Sequence, residues 1–250
     1  YKTKGQLRYD DFLDIKSKLF NNSLKTSAAV DIGCGWGTDL LCLAKHFDTV
    51  IGIEISYPDL IIAQKLLLQN GLANFVLVCI DPDNLPLADE IADYVNCQAV
   101  IEHVPDKTSF LKEIKRIIRN NGYCYLHSPN RYTILKETHT GVWGVGFLPR
   151  KYANLYVKKK VGIEYLNTAP LSYYELERIL KRCFGNKFFI FVLTKNIKRR
   201  ALESKFKEWL GTKNIEILIY LYSFFEKFPL LGKFLKSFVP EFQTIYNKQK

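Results

Sequence analysis

One glycine-rich turn constrains the fold of this chain more than any other feature. The segment from Ala28 to Leu41 reads A-A-V-D-I-G-C-G-W-G-T-D-L-L, and it predicts a buried strand, a turn and the start of a helix. Glycine at alternate positions lets the backbone take positive φ and lets a ligand lie directly on the main chain. The free N–H groups of the following helix favour an anionic group. Asp31 adds a carboxylate, so the turn suits a ligand with both signs of charge, such as an amino acid.

The spacing of these glycines separates two cofactor classes. A dinucleotide-binding turn has the pattern G-x-G-x-x-G, whereas the third glycine here comes one residue early. The pattern D-x-G-C-G-x-G resembles motif I of the class I S-adenosylmethionine (SAM) methyltransferases. The alternative is a tight strand-to-helix turn that binds no ligand. The resemblance implies that SAM is the cofactor. It also implies that the SAM-binding site includes Asp31, Gly33, Cys34, Gly35 and Gly37.

Two later strands each end at an acid. Residues 49–55 predict a buried strand ending in Glu54, which follows the glycine turn by about 20 residues, as ribose-binding acids do in such folds. Its two oxygens can accept from two vicinal hydroxyls, and Ile55 is expected in the same site. The alternative is a solvent-exposed acid. Strand 75–80 stops at Asp81, to which the resemblance assigns the hydrogen bond from the adenine amine; Asp83 is more typical of a turn.

A second region of resemblance surrounds the predicted strand at 92–97. The sequence L-P-L-A-D-E-I-A-D precedes this strand and Q-A-V-I-E-H-V-P-D follows it. The region is similar to the LPF-x-D, FD and EHV segments of the methyltransferase group that includes quinone-biosynthesis enzymes, although those relatives often carry an acid where Ala99 lies. Gln98 is expected to contact the methionine part of the cofactor. His103 is interpreted either as a general base for an acceptor hydroxyl or as a structural group in the loop.

The alternation of strands and helices predicts an α/β fold. We expect a doubly wound, mostly parallel seven-stranded sheet with helices on both faces and an antiparallel last strand. A capping box at Ser172–Glu175 begins a late helix. The whole chain, residues 1–250, is interpreted as one methyltransferase domain. Further helices are predicted at 6–22, 38–46, 57–70 and 107–119, and further strands at 123–128, 187–193 and 242–248.

A segment from 129 to 170 interrupts this order and is predicted to be irregular. Its apolar, glycine-punctuated sequence is typical of a lid or an acceptor pocket, with a loop packed on the sheet edge as the alternative. Arg131, Arg150 and Lys151 can bind an anionic group of the acceptor. Glu137 and His139 offer an acid and a base, but two ligands without a third do not make a metal site, so no metal is predicted. The candidate acceptor-binding residues are Arg131, Glu137, His139 and Trp143.

A basic insert at 195–240 precedes the predicted last strand. From Lys195 to Lys250 there are 12 Lys and Arg against 5 Asp and Glu. The run 215–225 is apolar nearly all round, whereas 228–239 is amphipathic with lysines off the apolar face. We interpret 215–239 as a segment for peripheral membrane contact, for covering the substrate or for a homodimer contact.

The composition of the chain limits the partners, the cysteine chemistry and the compartment that can be expected. A net charge of +11 is compatible with nucleic acid, an anionic membrane or a phosphorylated substrate, and selects none of them. The six cysteines include no C-x-x-C pair, so neither a zinc site nor a disulfide framework is indicated, and a reducing cytosol fits best. No apolar run is long enough to cross a membrane. We expect a cytoplasmic protein, with peripheral contact at the inner membrane face as an extension.

These patterns predict a SAM-dependent methyltransferase acting on a small-molecule, glycan or lipid-linked acceptor. The N-P-P-Y motif of amino-group and base methylating enzymes is replaced by N-C-Q-A at 96–99, which favours an oxygen acceptor. The apolar lid segment and the amphipathic basic insert favour a small-molecule, glycan or lipid-linked acceptor over nucleic acid. Two alternatives remain: a non-catalytic basic module that binds membrane or RNA, and an NAD-dependent oxidoreductase, against which the glycine spacing argues.

Overall fold

The computed structural model of the chain contains two compact units. It describes residues 4–19, 24–82, 85–166, 168–192, 217, 220, 222, 224 and 229–248. The first unit comprises Tyr1–His127, Ile179–Phe189 and Thr244–Lys250, and the second comprises Ser128–Arg178 and Ile190–Gln243. Within the described part of the chain, every helix is too short or too polar to span a bilayer.

Seven strands form one mixed sheet in the order β3-β2-β1-β4-β5-β7-β6. β1 pairs in parallel with β2 and β4, and β2–β3 and β4–β5 are parallel as well. The predicted antiparallel last strand is confirmed, because Asn130 N–H donates to the Pro240 carbonyl while Lys248 N–H donates to that of Gly122. The strand bounds are β1 Ala28–Ile32, β2 Thr49–Glu54, β3 Phe75–Cys79, β4 Ala92–Gln98, β5 Ile118–Pro129, β6 Phe188–Phe191 and β7 Glu241–Asn247.

Helices lie around this sheet and bury the faces that their sequence patterns predict. In α4 the buried residues Phe110, Leu111, Ile114 and Ile117 follow helical spacing. The capping box of α6 is confirmed, because Ser172 N–H donates to Glu175 Oε2 at 2.8 Å and Glu175 N–H donates to Ser172 Oγ at 3.3 Å. The helix bounds are α1 Lys4–Leu19, α2 Leu40–Leu43, α3 Tyr57–Gln69, α4 Lys107–Ile117, α5 Arg150–Val161, α6 Tyr173–Phe184 and α7 Pro229–Lys236.

The hydrophobic core of the first unit is centred on β1 and β4. All five residues of β1 are buried, as are the first six of β4. Strands covered on both faces usually carry apolar side chains along their whole length, and the buried polar residues Asp31 and Asn96 depart from this pattern. These two polar residues are directly paired in the β1–β4 register.

The predicted bounds were wrong for two elements, the helix after the glycine turn and strand β5. The first crossover helix, predicted over 38–46, is α-helical only in α2, because Lys45 and His46 donate to carbonyls three residues back and tighten the segment into turns. β5 begins at Ile118 rather than at 123. The run Asn120-Asn121-Gly122, which predicted a helix end, lies inside that strand, with Asn121 at φ +65°.

The prediction of an irregular segment at 129–170 was wrong for part of its length. It contains the 12-residue helix α5 and a 3₁₀ turn at Val145–Phe147. Only two positions of α5, Ala153 and Val157, are fully buried, and they pack with Val142 and Val145. Such a narrow apolar stripe in a lysine-rich sequence gives little periodic signal.

Most of the basic insert lies outside the described residues. In the predicted helix 215–225, positions 217, 220, 222 and 224 are described and are helical. In the predicted amphipathic segment 228–239, α7 is confirmed, with Lys233 paired to Glu177 at 2.8 Å. Residues 193–216, which carry much of the excess charge, are not among those described, and Asp83 is outside them too.

Candidate functional site

A cavity of about 260 Å³ opens in the first unit where several parallel strands end. Ligands of open α/β sheets bind in this position, beyond the carboxyl ends of the strands. Sequence reasoning did not anticipate its apolar wall, to which Val100, Val104 and Pro105 contribute. The cavity brings together six of the predicted site residues: Gly33, Glu54, Ile55, Asp81, Gln98 and His103.

The glycine turn differs in one respect from what its sequence predicts. Its N–H groups were expected to be free for an anion, but those of Gly33 and Cys34 donate to the Ile53 carbonyl at 2.8 and 3.0 Å. The Gly37 N–H donates to Cys34, and the Gly35 N–H donates to Glu54. These four amides are therefore engaged within the protein, and the expected anion site is left to the N–H groups of the following helix. The turn instead fixes the position of an acid.

Close approach and positive φ explain why glycine occupies this turn. Gly33 has φ +70°, and a Cβ there would overlap the Cγ2 of Val100. Gly37 has φ +77°, and its Cβ would lie 2.9 Å from that of Ala63 in α3. Gly35, at φ +49°, has open space where a Cβ would be. Gly33 thus keeps the cavity open, whereas Gly37 permits helix packing.

The Glu54 carboxylate is held at the end of β2 by two backbone donors. Its Oε2 accepts from Gly35 N–H and its Oε1 from Ser56 N–H, each at 3.0 Å. Each carboxylate oxygen can accept more than one hydrogen bond, so both oxygens keep capacity for a ligand. A pair of vicinal hydroxyls fits this arrangement, as the sequence predicts for a ribose.

A buried polar cluster lies beside the turn, and sequence reasoning missed most of it. Asn96 Nδ2 donates to Asp31 Oδ1 at 2.7 Å and to Asp39 Oδ2 at 3.0 Å. Gln98 Nε2 donates in turn to Asn96 Oδ1 at 2.9 Å. Asn96 and Gln98 are two residues apart on one strand and so share a face, which was the available signal. Asp39 gave no comparable signal.

Asp31 is the most strongly perturbed acid of this cluster. Burial raises the pKa of Asp31 well above its usual range, and the nearby charge of Asp39 raises this pKa further, against the Asn96 hydrogen bond. Its Oδ2 is buried and has no hydrogen-bond partner among the described residues. An unpaired buried acceptor of this kind is suited to a cationic ligand group.

These groups fit the cofactor that the resemblance implies. The ammonium, ribose diol and adenine amine of SAM donate hydrogen bonds, its sulfonium is a cation, and its carboxylate needs donors. Asp31 lies one residue before the end of β1, Glu54 ends β2 and Asp81 follows β3, and Gln98 adds an amide on the cavity wall. These acidic acceptors fit a cationic nucleoside better than a dinucleotide phosphate, because the turn amides that could bind a phosphate already donate within the protein.

His103 and Ala99 lie on the loop that follows β4. His103 lines the cavity, its side chain is exposed, and its N–H donates to the Val100 carbonyl at 2.8 Å. Ala99 has φ +54°, which is uncommon for a residue with a Cβ and costly unless the surroundings impose it. This strained turn directs the loop along the cavity.

Cysteine chemistry plays no part in this site. All six cysteines are free, and five are buried while Cys79 is exposed. Burial raises the pKa of the Cys34 thiol well above its usual range, and it raises that of Cys124 to about 12. The Cys34 and Cys124 thiols therefore stay protonated at neutral pH and fill space in the core.

The predicted acceptor residues all lie in the second unit, where each has structural partners. Arg131 donates to the carbonyls of Gly146 and Leu148 at 3.1 and 3.3 Å. Trp143 is 61% exposed, and its Nε1 donates to Ile134. Arg150 donates to Glu175 at 3.3 Å, and the Lys151 ammonium lies 4.8 Å from the Tyr152 ring centroid. The basic side chains proposed for an acceptor anion thus already hold this segment together.

Glu137 and His139 form the dyad that their proximity in sequence suggests. His139 Nδ1 lies 2.7 Å from Glu137 Oε1, and Oε2 accepts from the N–H groups of His139 and Thr140. Burial acts to raise the pKa of Glu137, but the hydrogen bonds from His139 and Thr140 outweigh it, so this pKa is lowered. The ionised carboxylate is therefore the form that the fold prefers.

Replacing Glu137 with glutamine is expected to destabilise the protein at pH 7. The loss is about 1–3 kcal/mol, because buried donors lose a charged acceptor. Since the folded pKa is lowered, the stabilisation is present above the unfolded pKa and disappears as the pH falls through the folded one. Urea unfolding from pH 7 to pH 3 measures it. The control E164Q removes an exposed ion pair with Lys158 and should cost little; a pH-independent difference for E137Q would contradict the expectation.

Comparisons with known proteins find similarity to methyltransferases. Residues 30–126 match the family described as a methyltransferase domain. A demethylmenaquinone methyltransferase of Staphylococcus saprophyticus is 27% identical over 180 residues, covering 70% of this chain and 73% of that protein. A ubiquinone biosynthesis O-methyltransferase of Pasteurella multocida is 30% identical over 119 residues, covering 44% of this chain and 49% of that protein. The chain thus matches about half the length of the second relative.

Solved structures show the same fold. A Haemonchus contortus phosphoethanolamine N-methyltransferase 2, solved with phosphomonomethylethanolamine and S-adenosylhomocysteine, aligns with a TM-score of 0.60. The alignment covers 97% of this chain and 53% of that chain at 16% identity. At this identity the similarity supports the architecture of the sheet and its helices and nothing finer.

Proposed function

The chain is a SAM-dependent methyltransferase, with a match to the methyltransferase domain family over residues 30–126. On this premise we propose that it methylates an oxygen of a small-molecule, glycan or lipid-linked acceptor. The observation that carries this proposal is the convergence of Glu54, Asp81 and Gln98 with Gly33 on one cavity. The oxygen target is supported by the N-C-Q-A sequence at 96–99 and by similarity to a relative named as an O-methyltransferase.

In this proposal the cofactor is held by residues that line the cavity and by residues of the buried hydrogen-bonded cluster beside it. Glu54 accepts from the ribose hydroxyls, Asp81 from the adenine amine, and Asp31 from the ammonium. Gln98 contacts the methionine part, and Ile55 packs on the nucleoside. The remaining turn residues Cys34, Gly35 and Gly37 act through the shape of the turn, since their N–H groups are not free.

The chain's part in the reaction is alignment and proton transfer. Bound SAM supplies an electrophilic methyl group on a sulfonium. The protein residues fix the donor so that the acceptor oxygen can approach in line, which is where most of the rate acceleration of such a transfer arises. His103, exposed on the cavity wall, takes the acceptor proton. The acceptor is bound by residues of the 129–170 segment, with Arg131, Glu137, His139 and Trp143 as candidates.

Replacing His103 with alanine is expected to lower turnover about 10²-fold while leaving the SAM dissociation constant within about threefold of the parent. The reason is that a general base acts on the acceptor and not on the cofactor. Calorimetry with SAM and steady-state rates with the identified acceptor measure the two effects separately. Unaltered turnover would assign His103 a structural role in its loop.

The acceptor class is tested by methyl transfer from radiolabelled SAM to separated lipid, glycan and small-molecule pools. Label in one pool that survives methyl ester hydrolysis and N-demethylation, but is released as methyl iodide by hydriodic acid, supports an ether oxygen; label that resists hydriodic acid as well indicates transfer to carbon and contradicts the oxygen target. Failure to label any pool, combined with strong and salt-dependent binding to vesicles or RNA, would favour the non-catalytic alternative. Calorimetry that detects binding of NAD and not of SAM would overturn the cofactor assignment.

Peripheral membrane contact and homodimer formation through 215–239 are part of the same proposal. Within the described part of this segment, Leu231 and Phe234 of α7 are 40% and 55% exposed. Exposed apolar side chains beside lysines are typical of helices that lie at an interface. The other residues of the segment fall largely outside the described ranges.

A further inference from the structure

Arg8 in α1 contacts the buried acidic cluster, although the sequence of this helix shows no chemistry. Its Nη1 lies 2.8 Å from both Oδ1 and Oδ2 of Asp39. The Arg8 side chain is 41% exposed, whereas that of Asp39 is 9% exposed. Asp39 follows the glycine turn by two residues, so a charge on α1 is tied directly to the turn.

The position of α1 is fixed independently of this ion pair. A Cβ at Gly5 would overlap the carbonyl oxygen of Thr38 and would lie 2.8 Å from the Asp39 Cα, so the helix backbone approaches closely. Two turns after Gly5, the centroid of the Phe12 ring lies 4.6 Å from that of the Tyr94 ring. Gly5, Arg8 and Phe12 therefore share one face of α1. Removing the Arg8 charge should leave this packing in place.

A continuous line of hydrogen bonds runs from Arg8 to the cavity wall. Arg8 donates to Asp39, Asp39 accepts from the Asn96 amide, and the Asn96 oxygen accepts from Gln98 Nε2. Gln98 itself lines the cavity. Because Asn96 is 3% exposed, its amide has no water to replace a lost acceptor. The orientation of Gln98 thus depends on where Asp39 is held.

The charges of the cluster require this cation. Asp31 and Asp39 share the two hydrogens of a single amide group, that of Asn96, and both side chains are buried. Two carboxylates this close repel each other, and Arg8 compensates one of the two charges. Without Arg8, the buried Asp39 carboxylate loses its counter-charge and is driven toward solvent. Asn96 then loses an acceptor.

We propose that Arg8 is a positioning residue for the cofactor: by fixing Asp39, it orients Asn96 and thereby holds Gln98 and Asp31 ready to bind the methionine part of SAM. This inference rests on the proposed function, because it assumes that Gln98 and Asp31 contact the cofactor. Arg8 does not touch the cavity, and its effect passes through Asp39 and Asn96.

The test is calorimetric binding of SAM and S-adenosylhomocysteine to four proteins. The parent, R8M, the double variant R8M/D39N, and R119M are compared. R8M keeps the apolar stem and removes the charge, and it should weaken both ligands about tenfold. In R8M/D39N an amide replaces the uncompensated carboxylate and still accepts from Asn96, so affinity should return to within about threefold of the parent.

R119M is the matched control. Arg119 is 38% exposed and pairs at 3.0 Å with Asp93, which is 3% exposed, so the ion pair resembles that of Arg8. Asp93 accepts from Ala28 N–H at the beginning of β1, at the opposite end of the strands from the cavity. R119M should therefore lower the urea midpoint at least as much as R8M without weakening ligand binding.

Each outcome bears on one of the two proposals. Binding by R8M that equals or exceeds that of the parent overturns the role of Arg8. So does a double variant as weak as R8M, which would mean that α1 docking alone matters, or a comparable loss in R119M. Failure of the parent itself to bind either ligand overturns the proposed function instead.

Discussion

Replacing Glu54 with alanine is expected to weaken SAM and S-adenosylhomocysteine binding by at least about 100-fold. Two hydrogen bonds from neutral hydroxyls to a carboxylate contribute about 1.5–3 kcal/mol each, and every 1.4 kcal/mol is about tenfold in affinity. The variant also leaves the N–H groups of Gly35 and Ser56 without their acceptor. Titration calorimetry with either ligand measures the loss.

Two further variants sharpen this experiment. E54Q keeps the size of the side chain but turns one acceptor into a donor, which would then face a backbone N–H, so it should bind almost as weakly as E54A. D59A is the control, because Asp59 lies on α3 and accepts from the exposed Trp36 Nε1 at 2.9 Å. Unchanged affinity in E54A would refute the assignment of Glu54 to the ribose.

Replacing Gly33 with alanine is expected to cost about 2–5 kcal/mol of unfolding free energy and to reduce cofactor affinity as well. An L-residue with left-handed backbone geometry costs about 1–2 kcal/mol. The added Cβ would also overlap Val100, a β-branched side chain with little freedom to move, and such overpacking costs about 1–3 kcal/mol more. Urea unfolding monitored by fluorescence measures the sum.

Gly71 provides a matched control for the backbone part of this cost. It has φ +71°, against +70° for Gly33, and nothing lies within 4 Å of where its Cβ would be. G71A should therefore cost about 1–2 kcal/mol and leave SAM binding unchanged. Equal losses of stability in G33A and G71A would show that Val100 moves freely and that the turn does not depend on close approach.

The strands and their terminal acids were predictable because both leave local signals. β1 and β2 are buried, mostly apolar runs. Glu54 is the last residue of β2 and Asp81 comes two residues after β3, and parallel topology brings these strand ends together. The availability of the turn amides was not predictable, because it depends on the carbonyl of Ile53 in the neighbouring strand. A glycine pattern reports backbone freedom and says nothing about which acceptors lie nearby.

The polar cluster was hidden for a related reason. Arg8 lies on α1, whose sequence pattern indicates only an apolar packing face. Its partner Asp39 is 31 residues away in sequence. Helix α5 was missed because only Ala153 and Val157 are fully buried in a run rich in lysine. In the first case the contacts join residues with no regular spacing, and in the second the apolar stripe is too narrow for periodicity to detect.

The placement of β7 between β5 and β6 has a consequence for how this chain reaches its native state. Residues 241–247 fill the gap between two strands that leave the ribosome earlier, so both edges stay open while more than 45 residues after β6 are synthesised. Open edges pair readily with other chains. Closing the sheet also requires contacts across a long stretch of sequence, which slows folding. Newly made chains are thus exposed to intermolecular association until this last strand is inserted.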